Sequence, residues 1–146
     1  MSKCLARFMQ PTGLEFHDTA FKIDSEIWNF LTHEIKRKMK SQEGQLPVRY
    51  WQTHAVPLHQ KCWELIEAIS EAEDIYPVTE TDLEEQRRCF QRAIGCCGTL
   101  LRYIELLHNE LPQIDINKLA NALELILQER KLLRGAMNSA KLRIKR

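Results

Sequence analysis

The sequence predicts an all-α fold, an antiparallel four-helix bundle with a leading segment and a basic tail, and three observations carry that prediction. Apolar residues recur at three- and four-residue spacing in four separate stretches, and the breakers between those stretches are short. Gly and Pro number only 5 each among 146 residues, too few for the many turns of a β-sandwich. The length suits one domain whose core needs neither a disulfide nor a metal. No stretch approaches the roughly 18 apolar residues of a membrane span. The first ten residues lack the apolar run of a signal peptide. The expectation is a soluble, cytoplasmic chain.

Residues 1–22 mix Pro11, Gly13 and apolar side chains without a sustained period, so they read as a lead-in to which no element is assigned. The bundle is expected over 23–140 and the tail over 141–146. Helix one opens at Asp24 or Ser25 as a cap and runs through Ile27, Leu31, Ile35 and Met39, with Phe30 beside them. Gly44 and Pro47 mark a loop. Helix two covers about 56–74, with Pro57 tolerated in its first turn and Leu58, Cys62, Leu65, Ile66 and Ile69 facing inward, until Pro77 closes it.

Thr81 and Glu84 have the spacing of a capping box, so helix three is expected to open there. It continues through Leu83, Phe90, Ile94, Cys97, Leu101 and Ile104 until Pro112, about thirty residues or about 45 Å at the α-helical rise. Cys89, Cys96, Leu100 and Leu107 form a second apolar flank beside this stripe. Either helix one and the lead-in cover that flank, or another subunit does. Helix four starts from a cap at Asp115 or Asn117 and carries Leu119, Ala122, Leu123, Ile126, Leu133 and Met137 to near Asn138.

No motif for catalysis is present: there is no G-x-S-x-G, no S-x-x-K, no P-loop and no dinucleotide-binding glycine fingerprint. The five cysteines, Cys4, Cys62, Cys89, Cys96 and Cys97, are odd in number and include no C-x-x-C, so reduced thiols are expected. Cys96 and Cys97 lie on apolar faces near Arg92 and read as small hydrophobes rather than nucleophiles. His59 with Cys62 and a loose His54 has no second ligand pair, and the inward-facing E-x-x-H motifs of a di-metal bundle are absent, so neither metal nor cofactor is expected. His33 and His108 have ordinary surface or packing readings.

Charge is separated along the chain, although 21 basic and 20 acidic residues leave a net charge of only +1. Glu64, Glu67, Glu71, Glu73, Asp74, Glu80, Asp82, Glu84 and Glu85 form an acidic run that reads as a solvated face. From Arg130 onward the chain is basic: Lys131, Arg134, Lys141, Arg143, Lys145 and Arg146 follow with no acid among them. Lys36, Arg37, Lys38 and Lys40 cluster on helix one, and Arg87, Arg88 and Arg92 on helix three. Arg88 and Arg92 point away from the apolar stripe, which leaves their guanidinium groups available to phosphate. Lys and Arg near helix ends also answer the macrodipole, and the acidic run would repel a polyanion, so any such binding must use one face. Arg130 falls inside helix four's apolar arc, as a snorkelling side chain or an intersubunit ion pair. Gly135 lies on that helix's outward face, where it marks fraying or a close backbone approach.

Four stretches together resemble a known family: the run Pro47-Val48-Arg49-Tyr50-Trp51, the run Glu73-Asp74-Ile75-Tyr76-Pro77, the segment 85–94 with Arg87, Arg88 and Arg92, and Leu132-Leu133-Arg134-Gly135. They are similar to the four-helix-bundle accessory variability proteins of diversity-generating retroelements and to the bundle proteins encoded in intervening sequences of ribosomal RNA genes. The resemblance implies a non-enzymatic homopentamer that binds structured RNA, or an RNA/DNA hybrid, through a basic surface and associates with a reverse transcriptase. On that reading Arg87, Arg88, Arg92, Lys131, Arg134, Lys141, Arg143, Lys145 and Arg146 contact nucleic acid. Cys89, Cys96, Leu100, Leu107 and Arg130 then lie between subunits. The alternative is a protein-interaction or oligomerisation bundle without a nucleic-acid role.

Overall fold

The computed structural model describes residues 15–38, 50–112 and 114–143. The expected loop over 41–47, together with Cys4, Met39, Lys40, Lys145 and Arg146 and the side chains of Ile35, Lys36, Arg37 and Lys38, lies outside the described residues. Among the described residues four α-helices make the fold: α1 (Glu15–Lys38), α2 (Val56–Asp74), α3 (Glu80–Glu110) and α4 (Ala120–Ser139). A π-helical turn, Trp51–Ala55, leads into α2, and a 3-10 turn, Ile116–Leu119, leads into α4.

α1 begins nine residues before the expected cap at Asp24. Thr19, Ala20 and Ile23 are buried and continue the stripe of Ile27, Phe30 and Leu31 back toward the start of the helix. Asp24 and Ser25 therefore sit within the helix, Ser25 exposed to solvent and Asp24 half-buried against His59 of the next helix. The turn ahead of α2 widens where Pro57, which has no N–H to donate, enters the first helical turn. α2 ends at Asp74 as expected, and the Gln86 amide donates to the carbonyls of Ala72 and Ile75, each at 3.1 Å, which satisfies acceptors that the helix end leaves open.

The capping box of α3 lies two residues earlier than the sequence suggested. Thr79 Oγ1 accepts from the Asp82 amide at 3.2 Å, and Asp82 Oδ2 accepts from the amides of Thr79 and Val78 at 3.1 and 3.2 Å. These bonds hold the Asp82 carboxyl below the usual carboxylate range. The overlapping frame at Thr81 and Glu84 has the same spacing but falls inside the helix. Thr79→Ala should cost about 1 kcal/mol, whereas Thr81→Ala should stay within about 0.5 kcal/mol of wild type. Thermal melts of the two variants decide between the frames. Asp115 is the cap before α4, with its carboxylate accepting from the Asn117 amide at 3.1 Å.

Each helix packs on its neighbours in sequence, and α4 closes the ring against α1. A helix in such a ring meets two neighbours and needs an apolar arc wide enough for both. On α3 this arc comprises Leu83, Phe90, Ala93, Cys97, Leu100, Ile104 and Leu107, spaced alternately by three and four through most of its length, with Cys89 and Cys96 at its edge. The expected stripe members Ile94 and Leu101 are only half-buried.

That arc corrects the expected subunit interface. Cys89, Cys96, Leu100 and Leu107 are buried within the single chain. α2 covers the flank, since Glu71 lies close enough to Cys89, and Lys61 and Glu64 to Cys96, to act on those thiols. Arg130 is half-buried beside Cys97. Among the described residues nothing approaches the position of a Gly135 Cβ within 4 Å, so none of them makes a close backbone contact there. Among the described residues, no helix is long and apolar enough to cross a membrane.

Candidate nucleic-acid interface

Arg87 of α3 and the basic segment that follows α4 meet at one end of the fold. Arg87 Nη2 donates to the carbonyl of Ala140, the residue that ends α4, at 3.1 Å. The Arg143 amide donates to the Pro77 carbonyl at 2.7 Å, and its guanidinium lies 5.9 Å from the centre of the Tyr76 ring, a cation–π distance. Lys141 and Arg143 are thereby held beside the α2–α3 connection and the first turns of α3. Arg88, Lys131, Arg134 and Lys141 are exposed.

A shallow cavity of about 320 Å3 lies at this end, between Phe16, Phe90, Glu73, Gln86, Lys141 and Arg143. Glu73 lies 3.4 Å from His17, and burial pushes its carboxyl above the ordinary range. The surface is thus cationic with an acidic inset.

Arg92 departs from its expected role. Its guanidinium is paired with Glu71 of α2, so the side chain that helical geometry turned outward is committed to a carboxylate. The acidic run on α2 contributes that partner. Because both groups are about half exposed in water, the pair adds little to stability, but it takes a charge away from any phosphate.

Two features escaped the sequence reading. Glu129 is 0% exposed on α4, and neither carboxylate oxygen has a hydrogen-bond partner. Burial pushes its carboxyl up to about 9, so it is neutral at pH 7, and it lies close enough to Cys97 to help burial push that thiol up to about 12. Position 129 follows Ile126 by three and precedes Leu133 by four, so the helical period itself marks it as inward. The carboxylate concealed that signal.

The second feature is aromatic. Trp28 of α1, Trp51 of the π-helical turn and Trp63 of α2 converge around His59 and line a cavity of about 390 Å3. No spacing within one helix could have assembled side chains from three elements. Among the described residues, no group of three His, Cys, Asp or Glu side chains is placed to hold a metal ion. Compared with protein-family models, curated proteins and solved structures, the chain matches none.

Proposed function

We propose that this chain is a non-catalytic accessory protein of a diversity-generating retroelement, a cytoplasmic antiparallel bundle that binds a reverse transcriptase and its structured template RNA. The single observation that carries the reading is the joining of two basic segments: Arg87 bonded to the end of α4, and Arg143 bonded to Pro77. Guanidinium and ammonium groups on such an end provide salt-sensitive phosphate contacts that are largely independent of sequence. The antiparallel order is supported by contacts between α2 and its lead-in turn and α3, which run from His54–Glu110 through Glu71–Arg92 to Ala72–Gln86. The resemblance implies a homopentamer, and subunit contacts in it would use surfaces other than the buried flank of α3.

The test is a salt titration of binding to a structured RNA, with light scattering for particle mass. Arg88→Glu with Arg134→Glu should leave the circular dichroism unchanged. It should reduce the slope of log affinity against log salt by about one per lost phosphate contact, and affinity at low salt should fall at least tenfold. Arg92→Gln should bind RNA nearly as wild type, because its charge is already paired. Unaltered affinity in the double variant rejects the surface. A second reading, a protein-docking bundle without nucleic acid, is favoured by the Arg92–Glu71 pair and predicts no RNA binding even at low salt.

A further inference from the structure

We infer that the aromatic cavity between α1 and α2 is a binding site for a small-molecule quaternary ammonium cation of the choline type. The chain has three tryptophans, and all three stand at this one place. Trp63 is 62% exposed and Trp28 38%, which leaves large apolar surface in water where a folded chain ordinarily buries it. The Trp28 and Trp51 rings meet at 5.5 Å and 75°, Trp28 and His59 at 4.7 Å and 42°, and His59 and Trp63 at 5.1 Å and 60°. Successive rings pack on one another at tilted or edge-to-face angles rather than in a flat stack, and together they line the cavity. The cavity lies within the size range of small-molecule sites. Trp51 reaches it from the π-helical turn, a rare local geometry that recurs at functional sites.

Charge selects the ligand class. Indole faces carry negative potential and attract cations. Among the described residues no Lys or Arg lines the cavity, and Lys61 is engaged with Glu64. A carboxylate adjoins the lining at Asp24, whose Oδ1 lies 3.1 Å from His59 Nδ1, at ion-pair distance though without hydrogen-bond alignment. A cation therefore meets ring faces with one carboxylate beyond them.

Methylation follows from the lining. An ordinary ammonium brings three N–H donors, and this nearly wholly apolar wall offers few acceptors besides the exposed Gln60 amide and His59. Burying such donors without partners is costly. A quaternary ammonium has no donor to satisfy and presents methyl groups to the rings. The inference stands apart from the RNA reading, since this site is on α1, α2 and the π-helical turn, and the basic residues of that reading are on α3, α4 and the segment that follows α4.

The experiment titrates choline chloride into the full chain and reads intrinsic tryptophan fluorescence, with sodium chloride at matched concentration. Dimethylbutanol, the analogue with carbon in place of the nitrogen, serves as the neutral control. A saturable change with choline is expected, with the neutral analogue binding about tenfold more weakly. Trp63→Ala, an exposed position, should abolish the saturable change while the other two tryptophans still report. Asp24→Asn should bring choline down toward the analogue and leave the analogue unchanged. Equal affinity for choline and the analogue would overturn the inference, because the cavity would then select apolar shape alone. Absence of a saturable change with choline, or wild-type binding by Trp63→Ala, also overturns it.

Discussion

Glu129→Leu should stabilise the protein by about 3 to 4 kcal/mol at pH 8 and by about 1 to 2 kcal/mol at pH 5. The reason is a carboxyl group enclosed on α4 with both oxygens unbonded. Its ordinary value is 4.5, and burial raises it to about 9 in the folded chain. Below the unfolded value both states hold the proton and ionisation costs nothing. Between about 4.5 and 9 the unfolded chain releases the proton while the folded chain keeps it, so stability falls as pH rises. At about 1.4 kcal/mol per pKa unit the limit is about 6 kcal/mol, and relaxation around the group lowers the realised loss. Leucine removes the titration and fills the space with apolar atoms. Glu129→Gln should remove the pH dependence but keep an unpaired amide, so its gain should be smaller. Thermal melts at the two pH values check this. An equal gain for Glu129→Leu at both would show that the carboxyl is not held neutral in the fold.

Leu100→Ala carries the second large effect, a loss of about 3 kcal/mol, or about 10 °C in melting temperature for a chain of this size. Leu100 is fully buried on the α3 arc. Truncation removes favourable transfer and leaves a cavity that close-packed neighbours fill only partly. The measurement also separates two assignments of the same residue. A core position loses the same stability at every protein concentration, whereas a position between subunits would show a loss that varies with concentration as assembly shifts. The expected outcome is a concentration-independent loss. A strong dependence would restore Leu100 to a subunit interface.

Much of the architecture was legible because its signals are local. The inward spacing of α2 and the breakers Pro77 and Pro112 placed the ends of α2 and α3, since a proline acts on neighbouring residues whatever the rest of the chain does. Where two local signals overlapped, the reading slipped. Thr79 with Asp82 and Thr81 with Glu84 both satisfy the capping spacing, and the bonds that Asp82 makes to Val78 and Thr79 decide which is used. At α1, Asp24 and Ser25 imitated a cap, although Ala20 and Ile23 carry the same period further back.

The candidate sites were legible only in part. Arg87 and Arg143 could be identified as basic, but their meeting at the ends of α3 and α4 depends on residues more than fifty positions apart. Arg92 looked free because a helical wheel shows one helix and not the Glu71 of its neighbour. The tryptophan cavity was invisible for the same reason, with one ring from each of three elements.

The sequence by itself determined an all-helical chain, its helices in order and most of their boundaries, because hydrophobic period, caps and breakers are properties of a few adjacent residues. Tertiary structure alone decided that α2 covers the second flank of α3, that Glu129 is sealed without a partner, that Arg92 is neutralised and that three indoles share one hollow. Each of these depends on which face meets which neighbour. That choice is made by the packing of the whole ring, where burial and charge pairing are settled between residues far apart in the chain.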